Sequence, residues 1–270
     1  MTDAPVHPAR PEIVRVADLE ELTTAAATRF IEVVAAAQSP GGGRHGDGVA
    51  RVVLTGGGAG TGLLAKLAEF DAAADAQAET FPALRVDWSR VEVFFGDERD
   101  VPVTDPESNE GQARAALLEA VGVPEANIHG WRLGGGRAGG DGLDLETAVE
   151  RYATVLEEFA PRGFDLHLLG MGGEGHVNSV FPHTAGTRAD APEVLAVTDS
   201  PKPPAHRGTI TLTGVARAER VWLLVAGAGK AEAAAHVAAG AGPAEWPAAG
   251  ARGAAETLLF LDDAAAGELG

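Results

Sequence analysis

Short apolar runs alternate along the chain with longer segments in which apolar residues recur every three or four positions. The longer segments predict helices over 18–37, 63–74, 108–121 and 144–159, with Asp18 as one helix cap and Ser108 or Asn109 as another. The apolar runs, rich in β-branched residues, predict strands over 49–55, 90–95, 164–170, 194–198, 209–213, 221–226 and 257–261. Glycine-rich loops are predicted at 39–48 and 133–142, and a glycine turn at 56–62.

This alternation predicts one α/β domain over residues 1–270. Parallel βαβ units need helices on both faces of a sheet, and their buried strands are nearly continuous apolar runs, as these are. We therefore expect an open, doubly wound, mostly parallel sheet in a Rossmann-like three-layer sandwich. Such sheets bind ligands at the carboxyl ends of their strands, so the segments that directly follow strands are the candidates for a functional site.

Composition and charge exclude several classes of function. The 270 residues include no cysteine, which excludes disulfides, zinc–thiolate sites and cysteine nucleophiles. A net charge of −18 argues against nucleic-acid binding, although a few cations in a cleft are enough to bind a small anion. No apolar stretch has the roughly 20 residues that cross a bilayer, and residues 1–10 do not resemble a signal peptide. We expect a cytoplasmic protein without nucleic-acid or membrane partners.

A glycine-rich segment follows the strand predicted at 49–55 and has the sequence LTGGGAGTG over 54–62. Glycines let backbone N–H groups approach an anion, and a helix N-terminus adds favourable partial charge. Thr55, Gly56, Gly57 and Gly58 are therefore candidate phosphate-binding residues. The alternative is a tight turn between strand and helix that binds no ligand. A Walker A loop is excluded because no Gly-Lys-Ser/Thr follows.

A dense group of charges follows the strand predicted at 90–95, in the sequence FFGDERDVP over 94–102. Asp97 and Arg99 are the candidates here for contact with substrate, because the planar guanidinium of an arginine can bind phosphate or carboxylate. The alternative is a solvated loop with local ion pairs.

The strand predicted at 164–170 runs into a glycine-rich segment, GMGGEGHVNSVFP over 170–182. His176 is placed for acid–base chemistry near neutral pH, and Glu174 can orient its ring. Backbone N–H groups of this turn, with Gly173 and Gly175 as the candidates, can stabilise an oxyanion. His167 lies inside the strand and is expected to be a core residue. For a lone histidine a structural role is the alternative, but the glycines and the carboxylate favour function.

Two later segments supply cations. The sequence KPPAHR at 202–207 contains Lys202 and Arg207, and Lys230 lies at the start of a predicted helix. A lysine at a helix N-terminus is unfavourable with the helix dipole, and an anionic ligand would offset that cost. The alternative is that these are ordinary surface side chains.

Together these segments resemble the 6-phosphogluconolactonase family over most of the chain. The resemblance rests on the Thr-Gly-Gly turn, the FFGDER-x-VP block, Ser108-Asn109, the LGMG-x-E-GH block that ends in Phe-Pro, and the KPP segment with a nearby arginine. It implies an α/β fold shared with glucosamine-6-phosphate deaminases and ribose-5-phosphate isomerases. It also implies hydrolysis of 6-phosphogluconolactone to 6-phosphogluconate in the pentose phosphate pathway, without metal or cofactor, and with His176 as the catalytic histidine.

The sequence departs from the family pattern at two places. Glu174 stands where the family usually has aspartate, and Gly58-Ala59-Gly60 stands where many relatives carry Ser-Thr-Pro. The longer carboxylate changes the hydrogen-bond geometry available to His176. Any hydroxyl contact made by those relatives would come here from Thr55, Thr61 or the backbone.

Hydrolysis of a lactone needs an activated water, a stabilised oxyanion and a proton for the departing ring oxygen. We expect His176 to take the water proton and return it to that oxygen. We expect the phosphate to bind at the 56–58 turn together with Arg99, Lys202 or Arg207, and the sequence does not decide among these three cations. The alternatives are an isomerase–deaminase for an amino sugar phosphate and a non-catalytic sugar-phosphate sensor. The expected assembly is a monomer or a weak homodimer.

Overall fold

The computed structural model describes residues 10–77, 84–134 and 142–269. Its strands are Glu12–Val16 (β1), Ala50–Leu54 (β2), Val91–Phe95 (β3), Asp97–Arg99 (β4), Ile128–His129 (β5), Leu166–Gly170 (β6), Val194–Val197 (β7), Arg207–Ile210 (β8), Arg220–Val225 (β9) and Glu256–Asp262 (β10). Seven of them form a parallel sheet in the order β1-β10-β9-β6-β2-β3-β5. The other three form an antiparallel sheet in the order β4-β8-β7.

Six α-helices are found in the described ranges: Leu19–Ala37 (α1), Gly57–Gln77 (α2), Asn109–Ala113 (α3), Leu145–Phe159 (α4), Leu212–Val215 (α5) and Ala231–Ala239 (α6). The side chains of Asp18, Ser108 and Asp144 each accept a hydrogen bond from a backbone N–H in the first turn of α1, α3 and α4. A π-helical turn over Arg114–Leu118 continues α3. None of the helices in the described ranges is long and apolar enough to cross a membrane.

The predicted fold class is confirmed, since a mostly parallel seven-stranded sheet is flanked by helices. The apolar runs at 49–55, 90–95, 164–170, 221–226 and 257–261 all lie in this sheet as β2, β3, β6, β9 and β10. The sequence analysis missed β1 and β5. β1 is an edge strand with only partly buried side chains, and β5 has two residues, so neither gives a long apolar signal.

The assignment of 194–198 and 209–213 to the main sheet was wrong. These runs belong to β7 and β8, which pair with β4 in the separate antiparallel sheet. The sequence of β4 is the polar run Asp97-Glu98-Arg99, which carries no strand pattern. β8 also ends at Ile210, because Thr211 caps α5 and the chain turns into that helix.

The glycine turn predicted at 56–62 was also wrong in extent, because α2 begins at Gly57. One of its glycines is required by packing: a Cβ at Gly60 would lie 2.4 Å from the carbonyl oxygen of Thr55. A Cβ at Gly58 would meet nothing within 4 Å. Residues 135–141 of the loop predicted at 133–142 lie outside the described residues, as do residues 1–9.

The end of β3 is fixed by two aromatic side chains. The hydroxyl of Tyr152 donates to the carbonyl oxygen of Phe95 and accepts from its N–H, both at 2.9 Å. The indole of Trp131 donates to the same carbonyl at 3.0 Å, and the two rings stack with centroids 3.8 Å apart. Because all three groups are buried, these bonds fix the point where the chain leaves the main sheet for β4.

A matched pair of glycine variants tests the packing at the start of α2. Gly60→Ala should destabilise the protein by about 1–3 kcal/mol, because the new methyl group overpacks against the Thr55 carbonyl. Gly58→Ala should stabilise it by about 0.5–1 kcal/mol, because alanine is the better helix former and has open space here. Urea unfolding of both variants measures this. Equal effects of the two substitutions would contradict the account of this turn.

Candidate active site

A cavity of about 370 Å³ lies at the carboxyl ends of β2, β3 and β6, where the two sheets meet. Among the residues that line it are Thr55, Gly56 and Gly57 after β2, Asp97 and Arg99 in β4, Gly170, Met171, Gly172 and His176 after β6, Lys202 and Arg207 at β8, and Lys230 before α6. The structure thus brings together nine of the candidate residues from the sequence. Gly58 lines an adjoining cavity. Glu174 does not line the cavity itself but contacts the imidazole of His176.

Another cavity, of about 520 Å³, lies at the opposite, amino ends of the strands. It is lined by Gly43, Arg44, Arg162, Asp165, Glu219 and Arg220. The carboxylate of Asp165 accepts from the N–H groups of Arg44 and Arg51, and Glu219 pairs with Arg44. These side chains form hydrogen bonds and an ion pair at the amino ends of the strands. The cavity that contains His176 holds a group suited to acid–base chemistry, so it is the candidate active site.

The histidine lies on a tight turn with its own hydrogen bonds. Gly172 donates to the carbonyl of His176 at 2.9 Å, and Gly175 donates to the carbonyl of Gly172 at 3.0 Å. Gly175 has φ of +75°, a conformation that glycine adopts without strain. The imidazole packs against the ring of Phe181, with centroids 4.7 Å apart, so the turn and this ring fix its position.

Glu174 contacts the imidazole of His176, with Oε1 3.2 Å from Nδ1. Burial and the charge of Lys202 lower the pKa of His176 below the ordinary value, and the charge of Glu174 opposes them. Burial raises the pKa of Glu174, but the hydrogen bond from Lys202 and the nearby positive charges outweigh burial and lower it to about 2. At neutral pH the pair is therefore a carboxylate beside a neutral imidazole.

The carboxylate selects which ring nitrogen of His176 is basic. When Nδ1–H donates to Glu174, the lone pair lies on Nε2. Nε2 makes no hydrogen bond to any residue in the described part of the chain, and the imidazole lines the cavity. The arrangement therefore offers a base to a small molecule in the cavity.

The candidate cations differ in their partners. The Nζ of Lys202 lies 2.9 Å from Oε1 of Glu174 and 3.4 Å from Nδ1 of His176. The guanidinium of Arg207 is 4% exposed and donates to the carbonyls of the preceding loop. Lys230 forms no salt bridge with a carboxylate in the described ranges, and burial and the charge of Lys202 lower its pKa. Lys230 is therefore free for an anionic ligand.

Asp97 is a buried carboxylate, so the alternative of a solvated charged loop does not describe this position. It accepts from Oγ of Ser179 at 2.6 Å and from Nδ2 of Asn109 at 2.9 Å. Its Oδ2 lies 3.9 Å from Arg207. Arg99 donates to Asn109 at 2.8 Å, and its Nε is buried without a protein partner among the described residues.

Three residues of the site were not singled out as site residues by the sequence analysis. Glu98 is buried and accepts from the N–H groups of Arg99, Asn109 and Glu110 and from Oγ of Ser108. Burial raises the pKa of Glu98 to about 7, and these hydrogen bonds offset part of the rise. Asn109, expected only as a cap, and Asn178 both line the cavity.

The signal for these residues is weak in the sequence. Glu98 and Asn109 stand in segments that were noted, but their separation of eleven positions does not show that they touch. Asn178 follows His176 closely and has φ of +49°, a conformation that asparagine tolerates. The side-chain amide of Asn178 packs against Gly96, where a Cβ would lie 2.3 Å from the amide oxygen. This contact joins residues 82 positions apart, so the sequence does not predict it.

The two oxyanion candidates from the sequence do not line the cavity. The N–H of Gly175 donates within the turn, whereas the N–H of Gly173 donates to no residue in the described ranges. Their role therefore stays a prediction.

A parallel α/β sheet with a carboxylate-bound histidine and several cationic side chains at its strand ends is the arrangement of an enzyme for a small anionic substrate. A family model, Glucosamine-6-phosphate isomerases/6-phosphogluconolactonase, matches residues 17–260. The chain belongs to this family, as the sequence motifs predicted.

Curated relatives agree with this assignment. The 6-phosphogluconolactonase of Mycobacterium leprae is 44% identical over 225 residues, which cover 82% of this chain and 85% of that protein. The 6-phosphogluconolactonase of Streptomyces coelicolor is 42% identical over 266 residues, which cover 96% of this chain and 95% of that protein.

Solved structures share the fold. The 6-phosphogluconolactonase from Trypanosoma cruzi superposes with a TM-score of 0.76 at 22% identity, covering 96% of this chain and 97% of that one. A monomeric glucosamine-6-phosphate deaminase gives a TM-score of 0.75 at 18% identity, covering 95% and 99%. At these identities the likeness shows the fold alone, because one fold hosts several chemistries.

Glu98→Gln tests the buried carboxylate beneath the site. The amide of glutamine brings a second set of N–H donors against a cluster of N–H groups, so we expect a loss of about 1–3 kcal/mol in the free energy of unfolding. Urea unfolding measures the loss. Glu92→Gln, on β3 at a half-buried position, is the control for the loss of a carboxylate near the sheet. A Glu98→Gln protein as stable as the wild type would show that these hydrogen bonds contribute nothing.

Proposed function

We propose that this chain hydrolyses 6-phosphogluconolactone to 6-phosphogluconate, with His176 as the general base. The observation that carries the proposal is the contact of 3.2 Å between Glu174 and the imidazole of His176 in the lining of a cavity that also holds Arg99, Lys202 and Lys230. Relatives that are 42–44% identical over most of both chains bear the name 6-phosphogluconolactonase, which supports the choice of reaction. The sheet places this histidine at a strand's carboxyl end, where such folds bind their substrates.

The reaction begins with a water molecule between Nε2 of His176 and the lactone carbonyl carbon. The imidazole takes a proton from this water as its oxygen attacks, and the carbonyl becomes a tetrahedral oxyanion. The carboxylate of Glu174 stabilises the imidazolium that forms. As the ring bond breaks, the imidazolium returns its proton to the departing ring oxygen. The product is an open-chain carboxylic acid, which loses its proton to solvent at neutral pH and becomes the carboxylate.

Neither oxyanion candidate lines the cavity; of the two, only Gly173 has an N–H without a partner in the described ranges, since the N–H of Gly175 donates to Gly172. A donor that already has a partner within the turn would lose that hydrogen bond on binding an oxyanion. The N–H of Gly173 would lose no such hydrogen bond.

The phosphate is assigned to Thr55, Gly56 and Gly57 and to the ammonium of Lys230, which line the same cavity as His176. The first N–H groups of α2 have no partner within the helix, and they carry the positive end of its dipole. Arg99 adds a guanidinium whose Nε is unpartnered among the described residues. Arg207 is not assigned to the phosphate, because its nitrogens already donate to backbone carbonyls.

His176→Gln should lower kcat by about 10²–10⁴-fold, because glutamine cannot take up the water proton. The lactone would be generated freshly from glucose 6-phosphate, and its loss measured above the spontaneous rate. His183→Gln, at a nearby exposed histidine that does not line the cavity, is the control. Turnover by His176→Gln within about threefold of the wild type would rule out this histidine as the base.

The pH dependence follows from the lowered pKa of His176. The base form is present above this pKa, so kcat/KM should rise with pH along an acidic limb that lies below the ordinary imidazole value of about 6.5. An acidic limb above that value would contradict a neutral His176 at physiological pH.

A parallel assay with glucosamine 6-phosphate separates the family's two named activities. Release of ammonia without acceleration of lactone loss would move the chain to the deaminase branch. Binding of 6-phosphogluconate without turnover of either substrate would instead favour a sensor.

A further inference from the structure

Lys202 and Lys230 both line the cavity, but only Lys202 contacts the acid–base pair. We propose that Lys202 is a positioning residue for Glu174 and His176, presented by a loop that Arg207 fixes, and that it does not serve as a ligand of the substrate phosphate. The inference rests on the proposed function of the same site and assigns one of its cations.

The contact geometry carries the first step. The Nζ of Lys202 lies 2.9 Å from Oε1 and 3.1 Å from Oε2 of Glu174, so the ammonium spans both carboxylate oxygens. Oε1 is also the oxygen that lies 3.2 Å from Nδ1 of His176. The ammonium therefore fixes the carboxylate in the orientation that the imidazole uses. The extra methylene of glutamate relative to aspartate adds a rotatable bond, and the contact with Lys202 restricts it.

The loop that carries Lys202 is fixed by hydrogen bonds to its backbone carbonyls. Arg207 donates to three consecutive carbonyls, through Nη2 to Lys202 at 3.0 Å and Pro203 at 3.1 Å, and through Nε to Pro204 at 2.9 Å. Its guanidinium is 4% exposed, so these hydrogen bonds are shielded from water. Oγ of Ser200 donates to the Lys202 carbonyl as well, at 2.9 Å. A loop fixed at this many carbonyls presents its lysine at one place.

The charges around the imidazole give the proposal a measurable consequence. The charged groups that act on His176 are Lys202, Glu174 and Asp97, and Lys230 acts on Lys202 and Glu174. Lys202 lowers the pKa of His176, whereas Glu174 and Asp97 raise it. Removing the ammonium leaves the carboxylates unopposed, so the pKa of His176 rises. Removing the carboxylate of Glu174 has the opposite sign.

The experiment compares Lys202→Met, Lys202→Arg and the matched control Lys230→Met. Lys202→Met should lower kcat about tenfold or more with KM within about threefold, and should move the acidic limb of kcat/KM to higher pH. Lys202→Arg should keep the wild-type limb, because its guanidinium can also bridge the carboxylate. Lys230→Met should raise KM for the phosphorylated lactone and leave the limb in place.

A second measurement needs no turnover. Titration of the free protein followed by NMR of the histidine ring nitrogens, with the His176 signals identified from the His176→Gln spectrum, should give a higher His176 pKa in Lys202→Met and a lower one in Glu174→Gln. Lys230→Met should leave it near the wild-type value.

The outcomes separate this inference from the proposed function. If Lys202→Met raises KM alone, with kcat, acidic limb and His176 titration unchanged, Lys202 is a phosphate ligand and the inference fails while lactone hydrolysis stands. If the wild type does not accelerate lactone loss, the proposed function fails, and the ring titration still tests the contact between Lys202 and the pair.

Discussion

The rest of the site depends on the hydrogen bonds and the ion pair that the buried carboxylate of Asp97 makes. It accepts from Ser179, three residues beyond the histidine, and from Asn109 at the start of α3, and it lies against Arg207 of β8. These three partners come from three separate segments of the chain. A buried carboxylate needs such partners to offset its lost hydration, so the segments converge on it. The cavity is the space left between them.

The main chain reaches Asp97 through Gly96, where close approach allows no side chain. A Cβ there would lie 2.3 Å from the amide oxygen of Asn178. The N–H of Gly96 donates to Leu54 of β2, and its carbonyl accepts from Ile210 of β8. One residue thus joins the parallel sheet, the antiparallel sheet and the histidine segment. The carboxyl ends of β2, β3 and β6 already lie at one edge because these strands are parallel neighbours, and Gly96 connects that edge to β8.

The charged side chains of the site have two roles: some act on the imidazole of His176, and others are available to an anionic ligand. Burial lowers the pKa of His176 most, and the opposed charges of Lys202 and Glu174 lie beside it, so the imidazole stays neutral and basic. Lys230 and the N-terminus of α2 remain without a carboxylate partner among the described residues, and they make their part of the cavity suitable for an anion. An acidic protein with a net charge of −18 can bind a phosphorylated sugar because these few cations are concentrated in one cavity.

The sequence predicts the parallel sheet well, because buried parallel strands such as β2 and β9 are long apolar runs. It does not predict the small antiparallel sheet, since β4 is three polar residues whose pairing with β8 depends on the fold. His176 and Glu174 are recognisable from local spacing. The different roles of Lys202, Arg207 and Lys230 are not, because each is decided by contacts with residues remote in the sequence.

A crystal structure with the product 6-phosphogluconate tests the central claim most directly. The account predicts the product carboxylate within hydrogen-bond distance of Nε2 of His176, and the phosphate at Gly56, Gly57 and Lys230. Product bound in this cavity with its phosphate against His176, or bound in the arginine-lined cavity at the amino ends of the strands, would contradict it.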